Sequence, residues 1–323
     1  MKKITLFVLS ALIGNQLLAQ EKLPVIAASP QTLPGKGLSQ HDFFYAGEGN
    51  KVMSIVKNGK IIWTYTDTTK RGEISDAVML SNGNILFAHQ YGITEITKDK
   101  KLVWDYPAPA GTEIHTAEPI GKNKVLYIQN GNPAKMVVVN IESGKNEFEM
   151  PLQVNNAASV HGQFRHVNIT ADGTALVAHM DLGKVCEYDG SGKMIWSVEI
   201  PSPWDAERLK NGNTLVASNN KFVREFNKNG EIVWEFTPAD LPAFKFSGFQ
   251  RASRLPDGNT LISNWAAKGD GNEVQAIEIS PDKKLVWALR SWTPPEDLGR
   301  STNIQRLDDK KLAPENVHFG SIK

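Results

Sequence analysis

Arg165 and His166 stand side by side in this chain, and the same two places of a repeating phrase hold Ser75 and Asp76, His115 and Thr116, Trp204 and Asp205, Gln250 and Arg251, and Thr302 and Asn303. An imidazole gives or takes a proton near neutrality, and a guanidinium offers a fixed fork of donors, so Arg beside His suits an anionic or oxygen-rich ligand. On this reading His166, His115 and His179 carry acid/base chemistry. Asp205 and Asp76 either act as acid and base or orient the histidines, the commoner duty of such carboxylates. Arg165, Arg251, Gln250, Asp76, His89 and Asn264 are the candidates for holding a carboxylate or hydroxyls. Trp204 and Trp265 each stand beside a channel position and offer a flat face to a sugar or aryl ring.

A second polar layer supports the grouping: His89, Gln129, His179, Ser218 and Asn264 share one equivalent place in successive repeats. His161 leads into the tight Gly162-Gln163 step ahead of Arg165. The competing reading is that these groups satisfy one another and trapped water in a wet channel. A metal on His115, His166 and His179 is chemically open, but no ligand spacing supports it, so no metal is expected.

The elements that must position these residues announce themselves by repetition. Asp76-Ala-Val-Met-Leu-Ser-Asn-Gly-Asn-Ile-Leu-Phe-Ala, Asp205-Ala-Glu-Arg-Leu-Lys-Asn-Gly-Asn-Thr-Leu-Val-Ala and Arg251-Ala-Ser-Arg-Leu-Pro-Asp-Gly-Asn-Thr-Leu-Ile-Ser are one phrase: strand, tight turn, strand. Repeats of this length and content predict an all-β fold, a β-propeller of four-stranded antiparallel blades. Trp63, Trp104, Phe148, Trp196, Trp234 and Trp287 close successive repeats, which gives six blades and makes these rings packing residues. Glu95, Glu187, Glu225 and Glu278 recur at one place and are assigned to the scaffold for the same reason. The first repeat, from Asp42, lacks an inner strand. Thr302–Leu307 from the other end supplies it, so that the ring is closed by N- and C-terminal strands and no sheet edge is left open.

The chain opens with Lys2-Lys3, an apolar run over 4–13 and a small residue, Ala19, ahead of Gln20. That is the pattern of a secretory signal peptide, too short to span a bilayer. The expected organisation is a signal peptide over 1–19, an irregular Pro- and Gly-rich lead-in over 20–41 and a single propeller over 42–323, periplasmic or secreted, with no membrane anchor. The formal charge of +1 falls to about −1 once Lys2 and Lys3 are removed, which argues against a nucleic-acid partner. Cys186 is the only cysteine, mid-strand and read as a buried hydrophobe.

The run Arg165-His166-Val167-Asn168, with Ala171-Asp172-Gly173-Thr174-Ala175-Leu176-Val177-Ala178-His179, Val185-Cys186-Glu187-Tyr188-Asp189 and Met194-Ile195-Trp196, resembles a blade of the bacterial arylsulfotransferase-like propellers. More loosely, every blade resembles the quinoprotein-like repeat. The sulfotransferase resemblance implies that His166 takes a sulfuryl group covalently with Asn168 as its polar neighbour. Departures from it are His179, where the family's blade often carries Arg, and the lack of the extra N-terminal domain of larger members. Neither an adjacent Cys pair nor a calcium-ligand cluster is present, so no quinone or other cofactor is expected.

Three functions follow as expectations. The preferred one is a carbohydrate-active lyase or hydrolase acting on a small-molecule or oligosaccharide substrate by His acid/base chemistry. Sulfuryl transfer from an aryl sulfate is the second. A non-catalytic platform for a glycan or a protein partner is the third.

Overall fold

The computed structural model describes residues 32–48, 51–268, 272–308 and 314–322; the expected signal peptide and the first part of the lead-in lie outside them. Six four-stranded antiparallel sheets form the ring. Blades 2 to 6 each take four consecutive strands, with inner strands Ile74–Met79, Glu113–Ile120, Phe164–Ile169, Pro203–Arg208 and Phe249–Arg254. Blade 1 is assembled from both ends of the propeller: Ser301–Arg306 is its inner strand and pairs antiparallel with Phe43–Gly47. The expected closure is therefore what the chain does. No helix among the described residues is long and apolar enough to cross a membrane.

The turns explain the repeats. Gly83, Gly173, Gly212 and Gly258, each in the turn between a first and a second strand, have φ of 84°, 76°, 85° and 91°. A side chain is strained there, so glycine at this place fixes the register of the hairpin.

Apolar residues gather into six clusters, one at each junction between neighbouring blades. Stability is thus distributed as six sheet-on-sheet contacts of the kind that hold repeat proteins together. The recurring tryptophans lock these junctions by reaching forward. The indole N–H of Trp63, Trp196 and Trp234 donates to a carbonyl in the next blade, on Lys98, Lys228 and Pro281, at 2.7, 3.0 and 3.0 Å. Trp287 donates instead to Gly37 in the lead-in, at 2.9 Å, so the lead-in stands where a further blade would offer its turn. Gly35 packs against the Trp287 ring so closely that an added Cβ would lie 2.6 Å from it.

The recurring glutamates complete the lock. Glu187 and Glu225 each accept from an arginine of the following blade, Arg208 and Arg254, whose guanidinium lies 5.2 and 5.0 Å over Trp196 and Trp234. Each also accepts from its own blade's turn, from Thr174 and Asn213. Glu278 accepts from His41 at 2.7 Å in the same manner. Carboxylate, guanidinium and indole thus bracket the two junctions from blade 4 to blade 6, and at Glu278 the His41 imidazole, edge-on to Trp287, takes the guanidinium's place.

The chain ends by crossing the lower face, where the turns lie. Glu315 accepts from the Ser81 N–H at 2.8 Å in blade 2, Phe319 packs edge-on to Phe148 of blade 3 at 5.2 Å, and the Gly320 N–H donates to Gly173 in blade 4 at 2.8 Å. Phe319 is the partner that Phe148, the one non-Trp anchor, requires.

A candidate acid/base site at the upper mouth

One backbone irregularity positions the whole site. Every inner strand carries a β-bulge against its neighbour: between Ile74 and Asp76, Ile114 and Ala117, Phe164 and Val167, Pro203 and Asp205, Phe249 and Arg251, and Ser301 and Asn303. A bulge sets two residues opposite one and re-aims their side chains. The six polar doublets of the sequence sit on these six bulges. Successive residues therefore both serve the channel instead of alternating between its two faces.

The second member of each doublet builds a ring across the channel. Arg251 from blade 6 reaches Asp76 Oδ1 of blade 2 at 3.1 Å and Asn168 Oδ1 of blade 4 at 2.9 Å, and its Nε lies 3.5 Å from Asp205 Oδ2 of blade 5. Asn168 donates to Asp205 at 2.6 Å, and Asp76 accepts from Thr116 Oγ1 at 3.2 Å and the Ala117 N–H at 3.3 Å. Burial alone would raise the Asp76 carboxyl, but His166 and Arg251 outweigh it and hold it at about 2. His166, 1% exposed, stands 3.5 Å from Asp76 Oδ2. These groups spend their charge on one another, which is the behaviour of a structural plug.

The first member of each doublet lies one layer nearer the upper mouth, where the inner strands begin. His115 Nδ1 meets Ser75 Oγ at 2.9 Å, and its Nε2 meets Glu113 Oε2 at 2.9 Å. The same Glu113 oxygen accepts from His161 Nδ1 at 2.8 Å, and the two imidazoles pack edge to face with centroids 5.0 Å apart. Burial first, and then the Arg165 charge, push His115 down to about 3, so it is neutral at physiological pH. His161 is the opposite case. Its side chain is 52% exposed, the bond to Glu113 raises its pKa above the ordinary 6.5, and its Nε2 makes no hydrogen bond among the described residues. Glu113 stays ionised, since its bonds to both histidines outweigh a burial effect of the opposite sign.

Two stacked cation pairs flank this cluster. The Arg165 guanidinium lies 4.5 Å over the Trp204 ring, and Arg300 lies 4.5 Å over Trp265, whose indole N–H donates to Glu48. Arg165 donates to the His161 and Phe164 carbonyls and keeps its Nε without a partner. Burial and the nearby Glu73 charge raise the Glu48 carboxyl. A hollow of about 490 Å³ opens beside them, bordered by Glu48, Glu73, Lys268, Trp292 and Arg300. That volume suits a small ligand. Glu73 joins the hollow to the histidines, its Oε1 lying 3.5 Å from His115 Nδ1. Glu73, His115 and His161 also present ligand atoms within 4.8 Å of one another, so they are the residues that could hold a divalent cation.

Among the residues singled out from sequence, Asp76, His166, Asp205 and Arg251 meet in the ring, and His115, Arg165, Trp204 and Trp265 lie in the mouth. Gln250 is buried within its bulge. The second polar layer does not join them. His179 Nε2 meets the Tyr188 hydroxyl at 3.0 Å, its ring packs on Phe164, and burial takes its pKa down to about 4. His89 binds Thr94 at 2.9 Å, and Asn264 ties together Ser247, Gly248 and Val274. All three face their own blade because they end second strands, one strand out from the channel. A metal triad of His115, His166 and His179 therefore has no geometry here.

Sequence reasoning named Ser75 and His161 without giving them a role, and left Glu48, Glu73, Glu113 and Arg300 out altogether. For two of them a signal existed: Glu73 and Glu113 each precede a bulge residue by two places, in neighbouring blades.

The family model described as outer membrane protein assembly factor BamB matches residues 153–289, which span blades 4 to 6. No curated protein sequence matches the chain. Among solved structures, a protein of unknown function from Bacteroides caccae is 24% identical with a TM-score of 0.72, covering 83% of this chain and 99% of its own. A streptogramin B lyase is 14% identical with a TM-score of 0.56, covering 85% of this chain and 87% of its own. A catalytically inactive virginiamycin B lyase from Staphylococcus aureus, with quinupristin, is 14% identical with a TM-score of 0.55, covering 80% and 88%. These likenesses show the fold, a six-bladed β-propeller.

Proposed function

We propose that the chain is an exported enzyme that breaks a bond in a polar, carboxylate-bearing substrate at the upper mouth, as a lyase or hydrolase, with acidic oligosaccharides as the substrate class. The observation that carries this reading is the Glu113 carboxylate shared by a buried neutral histidine and an exposed one. His161 is the acid/base group: its raised pKa keeps a proton available near neutrality, and its Nε2 is free to deliver it to a leaving oxygen or to take one from a substrate carbon. His115 anchors Glu113 from the buried side and so positions it. Arg300 and Lys268 border the hollow and supply the charge that holds a substrate carboxylate, while Trp265 stiffens Arg300 by stacking. Exposure favours this assignment over covalent sulfuryl transfer through His166, because a nucleophile must meet its donor and His166 is 1% exposed.

The test is turnover of a panel of uronate-containing and neutral oligosaccharides, followed by reducing-end release and by formation of unsaturated products. The expected result is turnover of an acidic member, reduced about 10²–10⁴-fold in kcat/KM by His161→Ala with the melting temperature unchanged. Equal rates in the variant would remove His161 from the mechanism. Binding across the panel without turnover would favour a second reading, a rigid binding platform. That reading rests on the outermost strands, where Leu102, Met194, Ile195, Ile232 and Val233 stay exposed beside the anchoring tryptophans.

A further inference from the structure

Below the Arg251 ring the channel widens into a separate chamber of about 440 Å³ that reaches the lower face at Ser81, Gly83 and Pro314. Val78, Leu80, Leu255, Leu261 and Leu307 give it apolar wall beside the polar Ser253, Asn303, Gln305 and Arg306, and Asp76, Glu118 and Arg251 line it on the side of the ring. Most of the polar groups are committed. Arg251 and Asp76 bind each other and their ring partners, Asn303 donates to the Ala77 carbonyl, and Gln305 both donates to the Met79 carbonyl and accepts from the Met79 N–H. Glu118 is the charged exception: among the described residues its carboxyl has no hydrogen bond and no ion pair.

The charge around Glu118 does not balance. The charges that act on it are Arg251 from blade 6, Asp76 from blade 2 and Asp205 from blade 5; around them, Glu207 of blade 5 acts on Arg251, His166 of blade 4 lies beside Asp76, and Arg306 of blade 1, which lines the same chamber, is held by Asp308. Arg251 already answers Asp76 and Asp205, so an ionised Glu118 adds a negative charge without a counter-charge. Burial, reinforced by the Asp76 and Asp205 charges, outweighs the opposing Arg251 charge and pushes its pKa up to about 8. A cation entering from the lower face would supply what the chamber lacks, and the apolar walls would cover a hydrocarbon stem behind it.

We propose that the lower chamber binds a small primary amine carried on an apolar stem, with the Glu118 carboxylate as counter-ion to its ammonium group. The site is separate from the upper mouth, since the Arg251 ring lies between them, and it does not depend on the chemistry assigned there.

Isothermal titration with n-hexylamine, run beside n-hexanol and hexanoate on the full chain near pH 9, tests this. The expected result is that hexylamine binds at least about tenfold more tightly than either control. Because it selects the ionised carboxylate, its affinity should fall by up to about tenfold per unit as pH drops below about 8. Glu118→Gln should remove at least about tenfold of amine affinity while leaving hexanol binding alone. This variant keeps its fold because Glu118 has no partner to lose, and thermal unfolding confirms it. His161→Ala should leave amine binding unchanged. Equal binding of amine and alcohol, an unaltered affinity in Glu118→Gln, or no amine binding up to tens of millimolar would each overturn the proposal.

Discussion

Removing residues 301–323 abolishes the cooperative thermal transition of the entire propeller. Among the described residues the deleted segment contains one strand, and it is the inner strand of blade 1. Its loss leaves the backbone of Phe43–Gly47 without its inner partner and uncovers Phe43, Phe44 and Tyr45, all fully buried in the intact ring. Two of the six inter-blade clusters draw on blade 1, so the junctions on both sides of it lose packing together. A shorter deletion, of 309–323, separates strand from tail. It spares the closing strand and removes Phe319 and Glu315, for a loss of about 3–5 kcal/mol on the scale of a deleted core phenylalanine. Differential scanning calorimetry distinguishes the two. The longer deletion should show no sharp transition, and the shorter one should show a sharp transition at lower temperature. A longer deletion that still melted sharply near the full-length temperature would mean that closure by the C-terminal strand is dispensable.

Replacement of Arg251 by Met has the next largest effect, a loss of about 3–5 kcal/mol in urea unfolding at neutral pH. The guanidinium answers Asp76 and Asp205 at once, and both carboxylates are buried. Methionine has comparable length and fits the space, so the loss reports charges left without compensation and not a cavity. Adding Asp76→Asn should restore part of it, because one of the stranded charges is then gone. A loss below about 1 kcal/mol in the single variant would show that the ring is no electrostatic plug.

The two halves of the structure differed in how far they could be read from the amino-acid sequence. The blades were legible because their signals are local and copied. Asn-Gly-Asn turns, Trp anchors and recurring Glu each repeat at fixed spacing, and the missing first strand pointed to its replacement at 302–307. The polar doublets were legible as doublets, although the bulges that explain them were not. A bulge is a property of two paired strands and leaves no mark on one of them. The same limit misplaced His89, His179 and Asn264. They recur in phase with one another, but phase along the chain does not tell which strand faces the channel, and theirs is one strand out.

Glu48, Glu113 and His161 come from the end of a second strand, the start of an inner strand and a turn, in three different blades. Glu113 and His161 meet across the junction of blades 3 and 4, Glu48 lies near Glu73 of blade 2, and no spacing within one repeat encodes either approach. Glu118 was invisible for a related reason. What sets it apart is the lack of a partner in three dimensions, and an exposed Glu in a strand looks no different in one. Arg251 needed both kinds of information: its doublet marked it as a channel residue, and only the fold shows that it divides the channel into two compartments with different chemistry.

The central claim is that His161 and Glu113 form a proton-transferring pair at an accessible mouth, and NMR titration of the His161 imidazole tests it most directly. In the unaltered protein the ring should titrate above 6.5, Glu113→Gln should bring it down by removing the carboxylate it donates to, and an added uronate-containing oligosaccharide should shift its resonances. An imidazole whose titration ignores both Glu113→Gln and the sugar would contradict the account.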